Sequence, residues 1–473
     1  MNTRREESRR FALEWFQLYH PIRLLIVMVF MLSTPLFASE RVSPKDLAEQ
    51  IDGWFANLTA TQPGAAVVVL RDGEVIHSKA YGLANLESGA PNTTHTKFLL
   101  ASATKSFTAL AVIQLAEHGR LHLEDSLSTY VADFVGGDQI TLHHLLSHTA
   151  GLPDFIAFEE AKKQARDSAP GERLNYSNIG YLALGKVIEK ASGKSYETYL
   201  KEAIFTPLGM QDSGVEHGQA LEKDRAAGYV MGSDGKLRRA DSSDQSSNPA
   251  AGGLYSTAED MTRWVRALIQ GRLVAPASLQ KAMTPVRLND GRKGSYGYGF
   301  MLIPFCGLRE VAHGGDINGF NSYFALYPDE RLAVIVLSNV GMRTPGPVPT
   351  AADIVHRVVK LVMGDRLGPD SPVEVKLPES LLDRYAGRYH LDAPLTITDA
   401  MGDTVEFSRE LTSLFAGGKW GRMEVFAESE TTFFSKGGPV PTKITFMVRP
   451  DGRVSEAVLS LMGLREFRLR RLP

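Results

Sequence analysis

Three short stretches hold side chains suited to nucleophilic hydrolysis. Ser102-Ala103-Thr104-Lys105 is a Ser-x-x-Lys. On a helix, positions i and i+3 share a face, so the Lys105 amine would lie within reach of the Ser102 hydroxyl and accept its proton. Tyr176-Ser177-Asn178 comes later, and His313-Gly314-Gly315 later still, directly before a hydrophobic segment. A free amine and a free phenol both titrate near about pH 10, so each needs a neighbour to work at neutral pH, and the two must be treated as one coupled titration.

Spacing alone does not select the nucleophile. Roughly one Ser-x-x-Lys is expected by chance in a chain of this size, and Ser278-Leu279-Gln280-Lys281 supplies a second. That one reads as a helix start, with Ser278 as cap and Lys281 in solvent. By residue type alone, Tyr176 is equally a core or turn tyrosine, and His313 a buried histidine at a strand end. His144 and His148 sit four apart, but the Glu of a His-Glu-x-x-His helix is missing and no third ligand cluster accompanies them. No metal is expected, and the two histidines read as packing or capping groups. Gly252-Gly253 reads as a tight backbone passage. Asn318-Gly319-Phe320 is either a site wall or a plain turn. No Gly-x-Ser-x-Gly elbow occurs, which argues against an α/β-hydrolase.

The elements that must position these groups follow from periodicity. Ala65–Leu70 and Glu74–Tyr81 flank Asp72-Gly73, a strong hairpin signal. From Thr104 to Gly119, apolar residues recur at helical spacing over more than three turns, predicting a buried helix. Further helices are predicted at Ser43–Leu58, Leu142–Ser147, Gly180–Ser192, Tyr196–Ile204, Ala258–Gln270 and Ala351–Val362. Tyr323–Tyr327 and Leu332–Ser338 read as a second hairpin. Strands at both ends of a helix-rich middle predict an α+β domain over 43–365, its sheet closed late by distant strands. A Pro-containing polar linker, 366–376, leads to a small all-β domain over 377–473, with strands such as Leu395–Thr398, Thr431–Phe434, Ile444–Val448 and Ala457–Leu461.

The chain has 473 residues, 43% of them hydrophobic and 22% charged, within the range of folded globular proteins. A net charge of -2 with scattered Lys and Arg excludes a nucleic-acid footprint. The single cysteine, Cys306, makes neither an intramolecular disulfide nor a thiolate cage by itself and reads as a buried apolar residue. At the N-terminus, an Arg-bearing start (Arg4, Arg5, Arg9, Arg10, Arg23), an apolar run Leu24–Leu32 and small residues at Ala38-Ser39 predict an export signal over 1–38. The run is short for a membrane span, which takes about 20 residues.

The three motifs in this order, with Thr141–Pro153, Pro170–Tyr181, Pro207–Met210, Ala251–Thr257 and Gly314–Phe320, resemble the penicillin-recognising serine hydrolases. The likeness is to the branch of class C β-lactamases, D-Ala-D-Ala carboxypeptidases, D-aminopeptidases and esterases, and it covers roughly Ile51 to Val362. It implies a β-lactamase/transpeptidase-like fold, an antiparallel sheet flanked by helices with a helical subdomain, and no cofactor. It also implies Ser102 as nucleophile, Lys105 as the group that accepts or stabilises its proton, and Tyr176 as general base. Asn178, Gly314 and Gly315 would bind substrate, and the backbone N–H groups of Ser102 and Asp316 would form the oxyanion hole. His313 stands where better-known relatives carry the Lys of Lys-Thr-Gly, so a permanent cation becomes a mostly neutral group and strong β-lactamase activity is not expected. The expected partner is a small-molecule or peptide substrate of D-Ala-D-Ala or β-lactam type, handled outside the cytoplasm. A carboxylesterase is the first alternative and a non-catalytic sensor the second.

Overall fold

The structure, a computed structural model, describes residues 42–473 apart from 57, 59–60, 155–156, 219–223, 233, 241–248, 342–347, 370, 394 and 437–440. The expected export signal lies outside the described residues. After helix α1 (Pro44–Phe55), strands β1 (Ala65–Arg71) and β2 (Glu74–Tyr81) form the predicted hairpin. Asp72 and Gly73 turn it with φ of 54° and 82°, the left-handed pair that a two-residue turn demands and Asp-Gly supplies.

Strands β3 (Val311–Ile317), β4 (Phe320–Tyr327) and β5 (Leu332–Ser338) complete an antiparallel sheet in the order β3-β4-β5-β1-β2. Ala65 pairs with Ser338 and Arg71 with Leu332, so the sheet is closed by strands from the far end of the domain. Every residue of β4 and β5 is buried, and such a sheet needs cover on both faces. Ala66, Val68 and Leu70 share one core with Phe107 and Trp264, whose rings stack at 3.7 Å. Phe107 belongs to α2 (Thr104–Glu117), in which every residue from Thr104 to Leu115 is buried. A helix enclosed on every side is the buried helix that the apolar spacing predicts.

Within the helical region, α3 (Leu142–Leu146), α4 (Asn178–Ser192), α5 (Ala258–Gln270) and α6 (Pro276–Ala282) precede α7 (Ala351–Met363), which packs on β4 and β5. Residues Tyr196–Leu200 are α-helical, but Lys201–Phe205 widen into a π-type turn where one helix was predicted. Helix α6 corrects another expectation. It begins at Pro276 after Ala275, so Ser278 lies inside its first turn and is not the cap. Proline at the first position presets the helical backbone and moves the start forward.

Beyond α8 (Glu379–Tyr385), eight strands form a closed barrel: β6 (Gly387–Asp392), β7 (Thr404–Glu410), β8 (Ser413–Gly418), β9 (Gly421–Ala427), β10 (Thr432–Phe434), β11 (Thr442–Val448), β12 (Val454–Leu461) and β13 (Arg465–Arg471). Each pairs with the next and β13 returns to β6. Alternate residues point inward and fill the barrel: Tyr389 stands edge-on to Phe407, and Tyr385 of α8 stacks on Phe446 at 4.2 Å. Leu395–Thr398, predicted as a strand, belongs to helix α9 (Leu395–Met401). Its β-branched residues fall in the connection between two strands that already pair with each other, so the closed barrel leaves no edge for them to join.

Candidate active site

Ser102 sits in a 3-10 turn, Ala101–Ala103, that leads directly into α2. Ala101 holds φ at 48°, a left-handed backbone that costs a residue with a Cβ about 1–2 kcal/mol. The turn is pinned from outside: the Leu100 N–H donates to Leu254 O at 2.8 Å, and Ser322 Oγ donates to Leu100 O at 2.7 Å. Gly315 of β3 fits against it because a Cβ there would lie 2.0 Å from Leu100 O.

One helical turn on, Lys105 is 0% exposed. Its Nζ hydrogen-bonds Ser102 Oγ at 3.2 Å, Asn178 Oδ1 at 2.8 Å and Ala251 O at 2.7 Å, and it lies 4.8 Å from the centre of the Tyr176 ring. A neutral amine donates its two hydrogens to the two carbonyl oxygens and keeps its lone pair for the Ser102 hydroxyl. Desolvation pulls the amine down to about 7, with the Asp154 carboxylate opposing. Tyr176 hydrogen-bonds Ser102 through its side chain, while burial pushes its phenol well above the ordinary range. Burial penalises ammonium and phenolate alike, so a neutral amine beside a neutral phenol is favoured over the charged pair.

Tyr176 is half-buried just before α4, whose N-cap Ser177 accepts the N–H of Gly180. The Ser177 N–H donates to His148 Nδ1 at 3.1 Å, and the Asn178 N–H donates to Asp154 Oδ1 at 3.0 Å. The His148 ring packs on Tyr176 at 4.2 Å between centroids, and burial keeps it neutral well below its usual range. His144 instead closes a capping box on α3 with Thr141. Both histidines are thus engaged in capping and packing, and among the described residues no His, Cys, Asp and Glu cluster suits a metal.

His313 lies on β3 and is 1% exposed. Its Nε2 meets the Tyr296 hydroxyl at 2.8 Å, and desolvation, aided by Lys105, pulls it down to about 3. It is neutral at pH 7 and turned into the protein. Ala312, one residue earlier, exchanges backbone hydrogen bonds with Met301 on the side away from β4. By the alternation of an antiparallel strand, the N–H groups of Gly314 and Asp316 point to that same side. Asn318 and Gly319 form the turn between β3 and β4, with Gly319 at φ 86° against Gly228.

Ser102, Lys105, Tyr176 and Asn178 therefore meet at one point, with Gly315 packed behind the Ser102 turn. Residue types alone did not mark Tyr296, Asp154 or Arg465. Asp154 adjoins the signature-like stretch ending at Pro153, a hint available in the sequence. Arg465 had none, because it comes from the barrel and donates to Asp154 Oδ2 at 2.7 Å and to Tyr176 O at 3.3 Å.

Comparison with known proteins agrees with this architecture. Penicillin-binding protein 4* of Bacillus subtilis is 30% identical over 442 residues, covering 84% of this chain and 95% of its own. The octameric penicillin-binding protein homologue from Pyrococcus abyssi superposes with a TM-score of 0.58 at 26% identity, covering 90% of this chain and 99% of that one. The D-amino acid amidase from Ochrobactrum anthropi shares the fold with a TM-score of 0.60 at 24% identity, covering 68% of this chain and 99% of its own. The beta-lactamase family pattern matches residues 51–358, and the chain accordingly belongs to the beta-lactamase family of serine hydrolases.

Proposed function

We propose that the protein hydrolyses peptide or amide substrates through an acyl-enzyme on Ser102. The carrying observation is the buried Lys105 amine, hydrogen-bonded to Ser102 and poised near pH 7. Ser102 Oγ bonds to the substrate carbonyl carbon as its proton passes to the neutral Lys105 amine. The negative oxygen that develops is met by the backbone N–H groups of Ser102 and Asp316. The C–N bond then breaks, and the Tyr176 hydroxyl gives its proton to the leaving nitrogen while regaining one from Lys105. Water attacks the ester carbon, its proton returns through the same pair to Ser102 Oγ, and the acid departs. Lys105 is assigned the proton-accepting role, and Tyr176 the relay, because burial disfavours phenolate.

His313 bears on the choice of substrate. A neutral, buried histidine spent on Tyr296 offers no cation to a substrate carboxylate. That favours acyl donors that do not depend on such a group, and it gives the second reading, a carboxylesterase, its specific support. Nitrocefin, a D-Ala-D-Ala peptide, the corresponding peptide amide and p-nitrophenyl butyrate should be compared on purified protein, with the acyl-enzyme followed by intact mass. Turnover of the amide with slow nitrocefin hydrolysis is expected; turnover of the ester alone would move the reading to an esterase, and turnover of none would defeat both. The N-terminal pattern supports action outside the cytoplasm, with cleavage near Ala38 checked by sequencing the mature N-terminus.

A further inference from the structure

We infer that Arg465, carried on the last hairpin of the C-terminal barrel, is a positioning residue for the proton-transfer pair, so that the barrel is part of the active site's construction. This rests on the reading of Ser102, Lys105 and Tyr176 given above.

The geometry begins with the backbone. Asn175 and Arg465 form an antiparallel bridge, in which the Tyr176 N–H donates to Leu464 O at 3.1 Å and the Glu466 N–H donates to Leu174 O at 3.0 Å. The segment that presents Tyr176 is thus zipped to the start of β13. Leu464 packs on a small cluster of Leu174, Val286 and Tyr296, which Tyr176 also joins. Arg292 reaches Glu466 at 3.2 Å, and Ser295 hydrogen-bonds Gly463 O. Tyr296 in turn is the partner of His313.

The side chains add a second tie. Asp154 and Arg465 are 5% and 20% exposed in their side chains, and their charges meet at 2.7 Å. With its other oxygen Asp154 accepts the Asn178 N–H, and the Asn178 side chain accepts from Lys105. Arg465 also donates to the Tyr176 carbonyl. One guanidinium from the barrel therefore holds the backbone of the phenol and, through Asp154, the residue that orients the amine. Both contacts come from the one nitrogen Nη2, whose hydrogens are fixed in the guanidinium plane, whereas the donors of a lysine ammonium rotate on a flexible stem.

Charge reaches the amine by the same route. The groups facing Lys105 are Asp154, Tyr176, Tyr181, His148 and His313, and those facing Arg465 are Asp154, Asp167, Tyr176 and His148. Among them Asp154 favours the protonated amine. Removing Arg465 leaves that carboxylate uncompensated, strengthens its hold on the Lys105 proton and moves the acid limb of acylation to higher pH.

The test is the rate of Ser102 labelling by a fluorophosphonate across pH, on the full chain, for wild type, Arg465→Met, Arg465→Lys and Ser102→Ala, with melting temperatures alongside. Arg465→Met is expected to label about ten- to a hundredfold more slowly at pH 7, with its acid limb displaced upward. Arg465→Lys keeps the charge but not the planar placement of its donors, and should be slowed with the limb near its wild-type place; it carries the test should the methionine variant not fold. Labelling by Arg465→Met within about twofold of wild type, or a slower rate in both variants with no limb displacement in the methionine one, overturns the positioning role. Labelling that persists in Ser102→Ala overturns the functional reading beneath it, whereas labelling lost there but intact in both Arg465 variants sinks this inference alone.

Discussion

Ser102-x-x-Lys105 and Ser278-x-x-Lys281 have identical spacing and both lie at the start of a helix, yet the protein treats them in opposite ways. Around the first, α2 is buried from Thr104 to Leu115, the lysine is inaccessible, and its amine makes three hydrogen bonds. Around the second, α6 buries only Ala282, Lys281 is exposed, and its amine stands 5.7 Å from the centre of the Tyr298 ring. The amine at Lys105 is brought to about 7 by desolvation, a consequence of its burial. The difference teaches that the motif supplies two groups within reach of each other, and the core supplies the chemistry.

The sharpest way to break the contrast is to remove each serine. Ser102→Ala should abolish fluorophosphonate labelling, a loss of at least about a thousandfold, while Ser278→Ala labels as wild type. Equal labelling in the two variants would remove the distinction. Replacing each lysine is next in size. Lys105→Met should slow acylation on the order of 10²–10⁴-fold, and Lys281→Met should leave it unchanged.

The same lysine sharpens the comparison through pH. Acylation that needs a neutral amine rises with pH and levels off above about 7, where Lys105 titrates. The sign for stability follows from protons bound. Between about 7 and its ordinary value of 10.5, Lys105 is protonated in the unfolded chain and neutral in the folded one. The folded state thus binds fewer protons, and this residue's contribution to stability rises with pH across that window. Below it, the full cost of burying the ammonium is present. Lys105→Met should flatten that slope and raise the melting temperature at pH 6 while destroying activity, so a melting temperature that falls with the wild-type slope retained would contradict the burial argument. Tyr176→Phe comes lower in the order, at about 10²-fold, because it removes the relay and leaves the amine in place.

How far the sequence led depended on where the determinants lie along the chain. The β1–β2 hairpin was legible because Asp72-Gly73 states its turn locally, and α2 because its apolar positions fill more than three turns. The junction of Ser102 with Tyr176 was legible through family likeness and not through spacing, since nothing near either residue specifies the other. The helix at Leu395–Met401 was misread because a β-branched run looks the same whether or not a neighbouring strand has room for it. Arg465 was invisible: an arginine in a run of Arg465, Arg468, Arg470 and Arg471 carries no mark of its partner, and only the closure of the barrel brings it to Asp154.

The smallest expected effect concerns the backbone on which the two motifs differ. Ser278 lies within the first turn of a proline-started helix, whereas Ser102 follows Ala101 at φ 48°. Glycine takes that conformation without the clash of a Cβ, but it adds freedom to the unfolded chain and gives up a fully buried methyl group. The two terms oppose each other, so Ala101→Gly should change stability by no more than about 1 kcal/mol. The turn keeps its ties through Leu100 to Leu254 and Ser322, so acylation should fall only a few-fold. A destabilisation well beyond that, measured by denaturant unfolding, would mean that the methyl packed against β3 holds the nucleophile's turn in place and that Gly315 alone does not set the approach of the strand.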